Sequence, residues 1–241
     1  MPPAPLISVL YEDNHLIIIN KKSGDIVQGD KTGDSPLSDF VKLYIKEKYA
    51  KPGEVFLGTV HRIDRPVSGL VIFAKTSKAL ERMNKMFHDK LVKKTYWAVV
   101  KNQPPEESGH LMHYLLKNEK QNKSYTYPEP YGKALKSELK YKVLAASDKY
   151  YLLEIDPITG RHHQIRAQLA AIGCPIKGDL KYGFNRSNED GSIHLHAKAE
   201  RFEHPVSKEE LYIEAPTPDE VLWNYFNTFT NSPSIAKAKD G

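Results

Sequence analysis

The sequence predicts an α+β domain with a largely antiparallel mixed sheet, flanking helices and a central cleft. Two observations predict it. Strand-like runs follow one another more often than they alternate with helical patterns, which favours antiparallel pairing. A length of 241 residues with 40% apolar content is enough to bury a sizeable core.

The elements follow in order. Residues 8–11 and 15–20 read as two strands of a hairpin joined at Glu12-Asp13-Asn14, because β-branched runs flank turn formers. Ser35 can cap a helix with Pro36 in its first turn. Leu37, Phe40, Val41, Tyr44 and Ile45 share its apolar face, and Pro52-Gly53 ends it. Residues 70–74 read as a buried strand. A helix from Thr76 or Ser77 follows, with Leu80, Met83 and Phe87 inward, and then a strand over 95–100.

The stretch 102–133 holds four prolines and two glycines with weak periodicity, so it reads as a loop-rich insertion and a mobile flap. Strands are expected near 139–143 and 151–155, and a helix from about His163 to Ile172 stopped by Gly173. An alternating stretch over 193–199, a strand over 211–214 and a helix over 218–226 close the pattern. These expectations make residues 1–229 a single domain and leave 230–241 as a disordered tail. There is no internal repeat.

Composition narrows the function. No apolar run is long enough to span a bilayer and the N-terminus lacks a signal core, so a soluble cytoplasmic protein without a membrane partner is expected. The single cysteine, Cys174, excludes an internal disulfide framework and reads as a small apolar residue beside a helix end. A net charge of +5 and a pI near 9.0 suit a protein that meets phosphates. Basic runs at 93–94, 117–123 and 133–142, interleaved with Tyr, can stack on unpaired bases or simply form a solvated surface.

Two segments concentrate the chemistry: HRIDRPVSGL at 61–70 and TGRHHQIR at 159–166. The first places Asp64 in a turn between strand-like segments. The second enters a helix through Thr159-Gly160 and sets Arg161, His162, His163 and Arg166 in its first turn, where backbone N–H groups favour anions. Each piece also has a plainer reading. Asp64 between Arg62 and Arg65 can be a surface ion pair of little energetic weight. His194 and His196 share a strand face, yet no third ligand stands at a recognisable metal spacing, so no metal is expected. No glycine-rich phosphate loop precedes a helix, so no nucleotide cofactor is expected either.

HRIDRPVSGL resembles the signature of the RluA-type family of RNA pseudouridine synthases. The resemblance continues through KKTYWAVV at 93–100, DPITGRHHQIRAQLAAIGCPIKGDLKYG at 156–183 and LHAKAERFEHP at 195–205, in the family's order. It implies the pseudouridine synthase catalytic fold and isomerisation of uridine in structured RNA, ribosomal or transfer RNA or both. Position by position, it implies that Asp64 is the catalytic carboxylate, acting at the ribose anomeric carbon or in breaking the N-glycosidic bond. By the same resemblance Tyr96 stacks on the uracil and helps move the proton from ring carbon 5, and Arg166 pairs with Asp64. Arg62 would push the target nucleotide from its stack, and Leu195 would line the wall beside the base. His61, Gly160, Arg161, His163 and Gln164 are expected to contact RNA or substrate.

The implied chemistry is physically coherent. A stacked uracil must be extruded before it can turn and rejoin through carbon, at a cost of a few kcal/mol. Keeping the detached base in a closed pocket replaces a second-order encounter with orientation. No second carboxylate, redox step or metal-bound water is required, unlike ordinary glycoside hydrolysis with its two carboxylates. Val67 stands where the family has Thr, and Lys22 where it has Pro. The resemblance begins by Val9, so an N-terminal RNA-binding module is not expected. A monomer is expected, with specificity set by the catalytic surface and the 102–133 insertion. A hydrolytic N-glycosidase and a non-catalytic RNA-binding or folding module are the alternatives.

Overall fold

The computed structural model describes residues 7–29 and 33–230. Its order is β1 (Ser8–Glu12), β2 (Leu16–Lys21), α1 (Leu37–Lys48), β3 (Gly58–Thr59), β4 (Ser68–Ala74), α2 (Ser77–His88) and β5 (Lys93–Val100). Then come β6 (Ser108–Asn118), β7 (Lys123–Tyr127), β8 (Leu135–Ala146), β9 (Tyr151–Pro157), α3 (Gln164–Ala171), β10 (Leu195–Glu203), β11 (Glu210–Glu214) and α4 (Val221–Thr230). Among the described residues these strands form one sheet of 11, in the order β1-β2-β4-β10-β5-β9-β8-β6-β7, with β11 on β10 and β3 on β4. Every neighbour pair is antiparallel except β4 with β10. The expected α+β architecture is the one found.

The alternation of strand side chains assigns the helices to faces. On one face, Leu16, Ile18, Leu70 and Ile72 pack with Ala79 and Met83 of α2, and farther along Ala98, Val100, Leu153 and Ile155 pack with Ile165 and Leu169 of α3. On the other, Ile17, Ile19, Val71 and Phe73 receive Leu37, Val41 and Ile45 of α1, and Trp97, Val99 and Leu152 receive Trp223 and Phe226 of α4. Leu16 to Ile19 of β2 and Leu70 to Ala74 of β4 are continuously apolar because both faces are covered there.

The parallel junction of β4 and β10 joins the two halves of the sheet, and Gly69 makes it possible. Gly69 has φ +113°, and a Cβ there would run into the backbone of Ala197 on β10. The Ser68-Gly69 of the first signature therefore serves strand packing, directly downstream of Asp64.

Several boundaries differ from the sequence expectations. Ser35 does not cap α1; Pro36 occupies that position, its ring offers no acceptor, and the first helical N–H groups of Leu37 and Ser38 donate instead to the carbonyls of Ile26 and Val27 at 2.7 and 3.3 Å. Thr76 does cap α2, its Oγ1 accepting from Ala79 N–H at 3.2 Å. The 102–133 stretch is not a loop-rich flap: β6 and β7 form a long hairpin paired to β8. Its prolines, 104, 105, 128 and 130, lie outside the strands, where a missing N–H costs no ladder bond. The last helix runs to Thr230, and the rest of the expected tail, 231–241, lies outside the described residues.

Candidate active site

Asp64 sits in the turn between β3 and β4, where Val67 N–H donates to Asp64 O at 3.0 Å. Val67 is buried against Leu195 and Ile165, so an apolar side chain suits this position. Lys21 secures the turn from beneath: its fully buried ammonium donates to the carbonyls of Lys22, Asp25 and Arg65 at 2.8, 2.9 and 3.2 Å. Burial draws the Lys21 pKa down to about 8, against the charges of Asp25 and Asp64.

The carboxylate of Asp64, 29% exposed, meets Arg166 of α3. Arg166 Nη1 donates to Asp64 Oδ2 at 2.9 Å. The remaining edge of the guanidinium is held by Asp179, to which Nε and Nη2 donate at 2.7 and 2.9 Å. Burial opposes the charge on Arg166, but Asp179 and then Asp64 more than offset this and raise its pKa. The guanidinium also lies 5.1 Å from the centre of the Tyr182 ring.

His163 adds a neutral neighbour. It adopts φ +53°, ends the turn before α3, and places Nε2 3.4 Å from Asp64 Oδ2. Burial, followed by Arg166 and His162, pushes its pKa down to about 2, so the contact is not an ion pair. Ser124 N–H donates to Tyr182 Oη at 2.9 Å and Tyr182 Oη lies 3.0 Å from His163 Nδ1. That chain assigns the hydrogen to Nε2, facing Asp64.

Tyr96 lies on β5 where the α2 and α3 clusters meet, packed against both. Burial first, then the charges of Glu200 and Asp64, raise its phenol pKa. Leu195, 4% exposed, belongs to the same apolar wall. Trp97, the next residue, faces the opposite side with α4.

The other expected residues divide. Gln164 closes the second turn, its Oε1 accepting from Thr159 Oγ1 and Arg161 N–H at 2.7 and 3.0 Å while Nε2 donates to Glu138 O at 2.9 Å. Gly160 and Arg161 are exposed on that turn, and Arg62 is exposed with no hydrogen bond or ion pair among the described residues. His61 is stacked on Phe87 with ring centres 4.8 Å apart, and its Nε2 accepts from Ile72 N–H at 3.0 Å. It is thus built into β4. Arg161, His162 and His163 precede α3 rather than forming its first turn, which begins at Gln164. Arg65 pairs with Asp34 at 2.8 Å, leaving Asp64 to Arg166.

Sequence reasoning missed Asp179, Tyr182 and Lys21. Asp179 precedes and Tyr182 ends a 3-10 turn at Leu180–Tyr182, where no periodicity marks a buried residue. Among the described residues no group of three or more His, Cys, Asp or Glu could hold a metal ion, and no helix is long and apolar enough to cross a membrane.

The chain is 35% identical over 214 residues to ribosomal large subunit pseudouridine synthase C of Vibrio parahaemolyticus, covering 86% of this chain and 65% of that protein. It is 36% identical over 228 residues to the protein of the same name from Buchnera aphidicola, covering 91% of this chain and 70% of the other. The chain thus spans slightly less than two thirds of the Vibrio relative. The fold matches that of human RNA pseudouridylate synthase domain containing 4, with a TM-score of 0.77, 23% identity, and 91% and 92% of the two chains covered. A model of the RNA pseudouridylate synthase family matches residues 15–171, and the chain belongs to that family.

Proposed function

We propose that this chain isomerises uridine in structured RNA to pseudouridine, with Asp64 as the catalytic carboxylate. The observation that carries the reading is the Asp64–Arg166 contact of 2.9 Å, held by Asp179, next to Tyr96. A guanidinium fixed on one edge by a buried carboxylate presents its free edge in one orientation, so Asp64 is aimed without being enclosed. The 29% exposure of Asp64 leaves it open to a sugar carbon.

The steps follow from these positions. A base extruded from its stack enters between Tyr96 and Leu195, and Arg62, exposed and unpaired among the described residues, is available to fill the gap it leaves. Asp64 then acts at the anomeric carbon as the N-glycosidic bond breaks, and the detached uracil turns while stacked on Tyr96. Carbon 5 then bonds the anomeric carbon as Asp64 is released, and carbon 5 loses its proton while N1 takes one up, which restores the ring at unchanged mass. The wall of Tyr96 and Leu195 keeps the base from leaving during the turn, which favours rejoining over hydrolysis.

The names of the curated relatives make large-subunit ribosomal RNA the first substrate to try, with transfer RNA as the second. The continuous sheet across β1 to β11 supports reading residues 1–229 as one catalytic domain.

Product analysis tests the reading. The purified chain is incubated with a large-subunit ribosomal RNA transcript, and the digested nucleosides are separated. An isomer of unchanged mass supports the proposal; free uracil would point to a hydrolytic N-glycosidase. Mapping pseudouridine in ribosomal and transfer RNA from cells with and without the gene then names the site.

A further inference from the structure

His163 touches Asp64 yet takes no part in the steps above. It is 9% exposed, so its ring reaches the catalytic carboxylate rather than the open surface. That ring is held on two sides. His162 stacks on it with centres 3.8 Å apart and planes 20° from parallel, and Tyr182 meets it edge-on at 77°. The backbone beneath it is left-handed, at φ +53°, a conformation that costs any residue with a Cβ and that gathers at functional sites.

Both ring nitrogens have an assigned task. Ser124 N–H, on β7, donates to Tyr182 Oη at 2.9 Å, so the phenol accepts there and its own hydrogen can go to His163 Nδ1, 3.0 Å away. At the far end of the ring Nε2 stands 3.4 Å from Asp64 Oδ2, where a bare lone pair would repel the carboxylate and an N–H attracts it. The two ends agree in placing the hydrogen on Nε2. The distance exceeds that of an ordinary hydrogen bond, so the N–H acts on Oδ2 chiefly through its dipole. Arg166 Nη1 donates to the same oxygen at 2.9 Å, while Oδ1 has no hydrogen bond or ion pair among the described residues. Both donors thus gather on one oxygen of Asp64.

Resting on the isomerase reading, we propose that His163 is a positioning residue: held by Tyr182, it presents Nε2–H to Asp64 Oδ2 beside Arg166, and so reserves Oδ1 for the anomeric carbon. Arg166 pins Oδ2 from one direction, and a second donor from another limits the swing of the carboxylate about its Cβ–Cγ bond. His163 itself makes and breaks no bond. The β6–β7 hairpin enters the site by the same route, because Ser124 belongs to it and fixes both partners of the ring. Its N–H holds the Tyr182 phenol, and its Oγ donates to His162 O at 2.7 Å. The seat of the hairpin is thereby linked to the aim of the catalytic oxygen.

The test uses the full chain and a large-subunit ribosomal RNA transcript, following isomerisation by single turnover and affinity by filter binding. His163→Phe keeps a ring in the stack but removes the N–H, and should slow turnover about thirtyfold with affinity within about threefold of wild type. His163→Gln carries an amide N–H at the reach of Nε2 and should recover to within about fivefold of wild type. Tyr182→Phe should slow the wild-type chain about tenfold and the His163→Gln chain less than about twofold, since an amide needs no phenol to place its hydrogen. Nitrogen-15 spectra of the imidazoles, with the His163 signals identified by their loss in His163→Gln, should show Nε2 protonated and Nδ1 bare. Equal slowing by His163→Phe and His163→Gln, an equal cost of Tyr182→Phe in both backgrounds, or a hydrogen on Nδ1 overturns the proposal. Should Tyr182→Phe fail to fold, the spectra and the His163 pair decide. A chain that forms no pseudouridine removes the isomerase reading. In such a chain a protonated Nε2 whose signal moves in Asp64→Asn would still support the contact, and an unmoved signal would overturn it.

Discussion

Arg166 joins two carboxylates of different kinds: it closes a two-point contact on Asp179, which is 1% exposed, and a one-point contact on Asp64, which is 29% exposed. The buried acid anchors and the open one is presented. This asymmetry gives the two acids separate tasks, and it depends on the fork geometry that only arginine offers.

Asp179→Asn removes the charge from the anchor while nearly keeping its shape. A buried guanidinium left with a poorer partner should lower stability by about 3 kcal/mol in urea titration. Misaiming of Asp64 should slow isomerisation on the order of a hundredfold. A variant with wild-type stability and rate would show that the anchor is idle.

Tyr96→Phe keeps the ring and its packing between the α2 and α3 clusters. RNA affinity and bond breakage should stay within about threefold of wild type, while the later proton transfer slows by up to about a hundredfold. Tyr96→Ala should lose affinity as well, because the stacking surface goes with the ring. Equal behaviour of the two variants in filter binding and single turnover would contradict this.

Acid should destabilise the fold through its buried neutral imidazoles. Burial is the first cause that pushes His61 down to about 3, His163 to about 2 and His196 to about 4, all below the unfolded value of 6.5. Between those values the unfolded chain binds more protons, so stability is full above pH 6.5 and falls as pH drops toward 4. Each histidine contributes a slope on the order of 1 kcal/mol per pH unit. Urea midpoints at pH 7.5, 5.5 and 4.5 should decline in that order. A rise or a plateau would mean that these rings are protonated in the fold.

Much of this architecture was legible in the sequence where physics acts locally. The run Leu16 to Ile19 and the four-residue spacing of Leu37, Val41 and Ile45 announce elements buried on one or both faces, and both are found. The β6–β7 hairpin was not legible, because its alternating residues, such as His110, Met112 and Tyr114, mix polar with apolar and prolines crowd its ends. In the site, Asp64 and Arg166 were found through the two signatures. Asp179, Tyr182 and Lys21 act through tertiary contacts across about 13 to 44 residues of chain, and no local pattern encodes those.

The most direct test replaces the one atom the chemistry cannot spare. Asp64→Asn keeps the turn and a hydrogen-bond acceptor for Arg166 but removes the anionic oxygen. With a ribosomal RNA transcript carrying tritium at uridine carbon 5, wild-type chain should release tritium as pseudouridine forms. The variant should bind the same RNA within about threefold and release at least about a thousandfold less in single turnover. Tritium release by Asp64→Asn at a rate near that of wild type would contradict the assignment of Asp64 and the mechanism built on it.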